Sequence, residues 1–215
     1  MSSTEIEIPI TIDPAVVAAG ANMCWMMIAG VIVFFMQSGF ALLESGSVRY
    51  KNYQNVLLKN CMDACIGGLV FWAWGFGLAY GDVDGGFAGK KHFFGYNMET
   101  RYAEWFFQYA FACTAATIVS GSLAERVKIN NYLLFSFFMT GIIYPIIVAW
   151  TWGGGWLTTM GFSDFAGSGV VHLTGGIAGL AGAVICGPRL GRFNTIRTGG
   201  DVDISPNQVS PGLVD

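Results

Sequence analysis

The chain has 215 residues, 53% of them hydrophobic and 12% charged, with a formal net charge of -3 and a mean hydropathy of +0.52. That is more apolar surface than one water-soluble core can cover, so the composition excludes an ordinary soluble domain and calls for a lipid solvent. The basic residues lie in loops and read as topology anchors rather than nucleic-acid sites.

The opening segment, residues 1–17, carries Glu5, Glu7 and Asp13 and lacks the basic start of a signal peptide or the arginines of a transit peptide. It is expected to lie outside the membrane. From about Ala18 to Leu43 no residue is charged, which is enough for a first span, because a helix needs about 20 apolar residues to cross a hydrocarbon layer of about 30 Å. A second uncharged run follows Asp63 and ends at Gly81, with polar Asn60 and Asp63 in its first turn. Gly81 to Lys91, rich in Gly and Asp, reads as an exposed turn. Trp105–Ala124 predicts a third span between Glu104 and Glu125. Ile129–Ser163 is uncharged but interrupted by Trp152-Gly153-Gly154-Gly155-Trp156, so the fourth span lies before that interruption. Phe165–Pro188 gives the fifth, ending where a proline breaks the helix. Residues 194–215 mix Gly, Ser, Pro and Asp without apolar periodicity and read as a flexible tail.

The resulting fold class is an all-α integral membrane protein of five transmembrane helices. Eight of the eleven Lys and Arg residues fall on one side: Arg49, Lys51, Lys59, Arg126, Lys128, Arg189, Arg192 and Arg197. Lys90, Lys91 and Arg101 fall on the other. The positive-inside rule then places the N-terminus outside and the C-terminus in the cytoplasm, or its matrix-side equivalent. Five spans are an odd number, so a second copy of the unit enters the membrane inverted, as in many transporters. Of the five cysteines only Cys61 and Cys65 stand one helical turn apart, and with no histidine nearby they read as packing thiols. No metal or cofactor is called for. Neither a catalytic nucleophile, nor paired carboxylates, nor a phosphate-binding glycine loop points to an enzyme.

The most specific local pattern runs from Asp164-Phe165-Ala166-Gly167-Ser168-Gly169 through His172 and Gly175-Gly176 to Gly187-Pro188-Arg189. Gly175, Gly179 and Ala183 recur at four-residue spacing, a small-residue face that lets membrane helices approach closely. This segment resembles the signature of the ammonium transporter family, Amt/MEP/Rh. The resemblance covers roughly residues 20–193 and includes Gly39-Phe40-Ala41-Leu42-Leu43-Glu44, Lys59-Asn60 with Asp63, Phe111-Ala112-Cys113 and Leu123-Ala124-Glu125-Arg126. Gly187-Pro188-Arg189-Leu190-Gly191-Arg192-Phe193 is most similar to the eukaryotic branch.

Several roles follow from the resemblance. The five helices of residues 18–193 correspond to the first inverted repeat of an eleven-helix fold, whose two repeats form the pore between them. His172 matches a pore histidine that pairs with one from the second repeat; a neutral imidazole can donate with one nitrogen and accept with the other. On its residue type alone, His172 reads equally as a helix-packing hydrogen-bond partner. Trp152 matches an outer recruitment site, where an aromatic face attracts ammonium by about 0.5–2 kcal/mol. Phe107 and Phe111, four apart on one helical face, match a gate of phenylalanine rings, although such pairs are ordinarily packing residues. Asp164 precedes the fifth span and is expected to cap it as a structural and electrostatic support. Asn52, Asn55, Lys59, Asn60 and Asp63 form a polar stripe that must face protein or cytoplasmic water, because charge in lipid is costly.

The implied function is transport of ammonium or ammonia across a plasma or organellar membrane. Recruitment at the aromatic site precedes deprotonation and passage of ammonia past His172. The implied partners are membrane lipid and a second half-transporter, a homotrimer or a larger membrane complex. A half-length, non-transporting accessory subunit is the alternative reading.

Overall fold

The computed structural model describes residues 13–189, and these are helical with no β-strand among them. Five helices are long and apolar enough to cross a membrane: α1 (Pro14–Ser47), α2 (Tyr50–Tyr80), α3 (Tyr102–Leu123), α4 (Ile129–Trp150) and α5 (Ser168–Cys186). The tail assigned to residues 194–215 and the first twelve residues of the opening segment lie outside the described residues.

α1 starts under Asp13, whose carboxylate accepts the Ala15 amide at 2.8 Å, with Pro14 at the first helical position where its missing N–H costs nothing. α2 begins at Tyr50, well before the uncharged run that marks it in the sequence. The helix extends because Lys59, Asn60 and Asp63 are buried in protein, so their polarity does not end the span. α4 stops at Trp150 and the Trp152–Gly155 interruption becomes a turn, followed by a one-turn helix at Trp156–Thr159. α5 ends at Cys186, with Gly187 at positive φ (φ 73°, ψ -166°), a conformation open mainly to glycine, and Pro188 beyond it.

α3 is the most enclosed helix, and the other four spans pack around it, while α1 and α5 leave most of their surfaces open. Close approach is written into the glycines. A Cβ on Gly175 would lie 2.9 Å from the Ala115 carbonyl oxygen, one on Gly179 2.8 Å from Ser122 Oγ, and one on Gly182 2.7 Å from Leu123 Cδ2. Gly182, three residues after Gly179, joins this face, and Ala183 beside it is half-buried. Helical residues three and four apart share a face, so both spacings are compatible with one stripe.

Three spans contain π-helical segments, Phe71–Gly75 in α2, Met139–Ile143 in α4 and Ser168–Leu173 in α5. The α4 segment stands just before Pro145, whose ring cannot donate the next helical bond, and the Tyr144 amide reaches back to Met139. Within the bilayer, polar side chains find partners between helices. Gln37 of α1 donates to Thr114 (3.3 Å) and accepts from Thr117 (2.7 Å), both on α3.

The most concentrated polar cluster lies at the end of the bundle that carries most basic residues. Glu44 Oε2 accepts from Ser120 Oγ at 2.8 Å and Asn60 Nδ2 at 3.2 Å, and pairs with Lys59 Nζ at 3.0 Å. Lys59 also donates to the Ser120 carbonyl and sits 4.8 Å above the Tyr132 ring, whose hydroxyl donates to Asp63 Oδ2 at 2.5 Å. The expected polar stripe thus divides: Lys59, Asn60 and Asp63 are buried in protein, whereas Asn55 is exposed. Tyr132 and Ser120 complete the cluster, and neither stood out in the sequence because an isolated tyrosine or serine in an apolar run has no pattern.

Around this end the loop after α3 ties the helices together. Glu125 Oε1 accepts from Arg49 Nε (2.9 Å), the Arg49 amide (3.2 Å) and Asn52 Nδ2 (2.6 Å). Burial lifts the Glu125 carboxyl, but the Arg49 and Asn52 hydrogen bonds outweigh it and hold the group below its ordinary value. On the other flank Arg126 donates to carbonyls of Ala183 and Gly187, and Arg189 donates to those of Ala124 and Gly121.

Candidate functional site

At the opposite end of the bundle, the turn after α4 brings Trp152 over the first half of α3. The turn is tight because Gly153 packs against the Ala79 carbonyl, where a Cβ would stand 2.1 Å away. Its amide bonds the Val148 carbonyl at 2.8 Å, and Thr158 donates to the carbonyl of Thr151. Trp152 is half-buried and its ring lies 5.8 Å from that of Phe111, tilted by 69°. Phe111 in turn meets Phe107 edge-on at 5.1 Å and 83°. The three rings therefore form a continuous row, two from α3 and one from the turn, in the edge-to-face arrangement that aromatic quadrupoles favour.

The row is fixed to the start of α5. Trp152 Nε1 donates to the carbonyl oxygen of Asp164 at 2.7 Å. The Asp164 carboxylate accepts four amides: Gly167 (2.8 Å) and Ser168 (3.1 Å) on Oδ1, and Gly169 and Val170 (both 2.8 Å) on Oδ2. Burial pulls this carboxyl up, but the backbone N–H groups of Val170, Gly167, Gly169 and Ala166 outweigh that and lower it from its ordinary value. Gly167 takes a left-handed conformation (φ 91°), and a Cβ there would press 3.1 Å from Trp152 Cη2. This glycine was legible only as one letter of the Asp164–Gly169 pattern.

His172 stands in the π-helical first turns of α5, its amide bonded to the Gly167 carbonyl at 2.9 Å. The imidazole is exposed, on the same open side of α5 as Leu173, Ile177 and Leu180. Phe107, Phe111, Trp152 and Asp164 are thus brought together by direct contacts, and His172 is linked to them through the Asp164-capped start of its helix. The site pairs a row of aromatic faces with an ionised carboxylate whose oxygens are occupied by backbone amides. It offers attraction for a small cation at the rings and a donor-acceptor imidazole farther along an apolar face.

A family model described as Ammonium Transporter Family matches residues 24–209. Ammonium transporter Amt2 of Archaeoglobus fulgidus is 47% identical over 187 residues, covering 81% of this chain and 40% of the relative. Ammonium transporter 1 member 3 of Solanum lycopersicum is 43% identical over 192 residues, covering 84% of this chain and 42% of the relative. Among solved structures, one titled Sensor Amt Protein superposes with a TM-score of 0.81 at 37% identity, covering 84% of this chain and 48% of that one. The chain spans roughly two fifths of the length of these curated relatives.

Proposed function

The chain belongs to the ammonium transporter family, and from that premise we propose that it supplies one wall of a pathway carrying ammonium or ammonia across a membrane. The observation that carries this reading is the row Phe107–Phe111–Trp152, fastened by the Trp152–Asp164 hydrogen bond to the helix that bears His172. Trp152 recruits ammonium on the outer side through its ring face, with an attraction of about 0.5–2 kcal/mol that grows as the cation is desolvated. Phe107 and Phe111 form the constriction below it. An apolar passage disfavours the charged form of the cargo, so ammonium passes its proton to the neutral imidazole of His172 and ammonia proceeds. The imidazole accepts or donates a proton where water is scarce. Asp164 holds Trp152 and the start of α5 in place and adds negative potential near the entrance.

The distribution of basic residues supports an orientation with the N-terminus outside. The open apolar side of α5, where Leu173 and Ile177 are 60% and 57% exposed, supports a second pore wall supplied by another polypeptide segment or subunit.

The test is ammonium-driven internal pH change in proteoliposomes containing the chain with whatever subunits purify alongside it. Flux above that of empty liposomes, abolished by His172→Ala without loss of folded protein, is the expected result. Equal rates with and without the protein would sink the reading. The same exposed α5 surface favours a second reading, an accessory subunit that packs against other membrane proteins and carries nothing. Recovery of the native chain alone or as a self-trimer, free of foreign subunits, would count against that role.

A further inference from the structure

On the basic side of the bundle, between the loop joining α1 to α2 and the loop joining α3 to α4, lies an open cleft of about 780 Å³. Its walls carry Arg49, Lys51, Lys59, Arg126 and Lys128; Glu125 is engaged by Arg49 and Asn52, and the buried Glu44 pairs with Lys59, which leaves Lys51, Arg126 and Lys128 as the net positive charge of the cleft. Lys59 and Tyr132 are buried at the inner end, with the ammonium over the ring, while Lys51 and Lys128 are exposed at the rim. Exposed Asn55, Asn130 and Asn131 add amide donors between them. Two spans begin here: the Arg49 amide at the start of α2 is taken by Glu125, while the first amides of α4 have no bond from the side chain of their N-cap residue Lys128.

We propose that this cleft binds the phosphate of an anionic membrane lipid from the adjacent leaflet. The charge excess and free donors specify a phosphate-bearing anion. The level specifies a lipid, because the cleft is built from the last turn of α3 and the first turns of α2 and α4, where the headgroup layer meets the spans. Beside it, exposed Tyr50, Leu57 and Leu58 of α2 and Leu134 of α4 continue as apolar surface on which acyl chains can lie. A soluble anion gains nothing from that surface.

The experiment titrates the chain in uncharged detergent with dioleoyl phosphatidylglycerol or dioleoyl phosphatidylcholine, reading bound lipid by native mass spectrometry and the melting temperature in parallel. Preferential retention of the glycerol lipid, weakened about thirty-fold in a Lys51→Gln/Lys128→Gln variant, is expected for two lost phosphate-facing cations. A Lys90→Gln/Lys91→Gln variant, altered on the opposite side, should bind as the parent does. Equal binding of the two lipids, or equal loss in both variants, overturns the proposal. So does full competition by inorganic phosphate, which would make the ligand an aqueous anion, or by a synthetic peptide of residues 198–215, which would make it an acidic protein segment. Lipid retention does not depend on flux, so its failure leaves the transport reading standing, and the converse holds.

Discussion

The indole nitrogen of Trp152 donates to the main-chain carbonyl of Asp164, while the side chain of the same aspartate gathers the first amides of α5. One residue thereby sets both the angle of the last aromatic ring of the row and the start of the helix that carries His172.

Removing that carboxylate should loosen both. Asp164→Ala is expected to lower stability by about 1–2 kcal/mol, as for a lost helix cap, and to reduce transport further than Ser168→Ala does. Thermal unfolding in detergent and proteoliposome flux measure the two effects.

The same carboxyl gives a pH signature. Its value is lowered in the folded protein, so its contribution is complete above the ordinary carboxylate value of about 3.9 and is lost as pH falls through the depressed folded value. Glu125, lowered by Arg49 and Asn52, acts in the same direction. Acid melting curves of Asp164→Asn and Glu125→Gln should each be flatter than the parent's below about pH 4; superimposable slopes would remove the assignment.

Glycines of α5 separate by face. Gly179→Leu should cost at least about 1–3 kcal/mol by forcing α5 off Ser122, whereas Gly176→Leu meets nothing within 4 Å inside the chain and should leave its melting temperature unchanged. If a second wall covers the open side of α5, Gly176→Leu should still impair assembly, which size-exclusion and crosslinking profiles read directly.

Glu44 and Lys59 form an ion pair with side chains only 5% and 8% exposed. Lys59→Met alone should destabilise by about 3–5 kcal/mol by leaving Glu44 uncompensated, and Glu44→Gln/Lys59→Met should recover part of that loss. A double-mutant cycle on unfolding midpoints gives the coupling, and strict additivity would count against a direct pair.

The number and order of the spans were legible because uncharged runs long enough to cross lipid leave little alternative. Helix limits were less so. Lys59, Asn60 and Asp63 look like a wet helix end in the sequence, yet they are buried against Glu44, Ser120 and Tyr132, partners 15 to 69 residues distant in the chain. Phe107 and Phe111 announce themselves as neighbours by spacing, but the contact of Phe111 with Trp152 depends on the turn at Gly153 and the Asp164 carbonyl, which no local pattern encodes. The need for glycine at Gly182 has the same origin: the facing Leu123 side chain leaves no room for a Cβ there.

The π segments in α2, α4 and α5 have a consequence for how one helix can serve two neighbourhoods. Each widened turn inserts a residue without a loop, and one residue corresponds to about 100° of helix rotation, so it shifts the angular phase of everything beyond it. In α4 the half before Met139 directs Tyr132 to the buried ions, and the half re-phased after Ile143 directs Tyr144 and Val148 into the apolar core against which Trp152 packs. Deleting a single residue from Met139–Ile143 would therefore act as a twist of the second half relative to the first, turning the base of the Trp152 turn away from Phe111 while leaving the ion cluster in register.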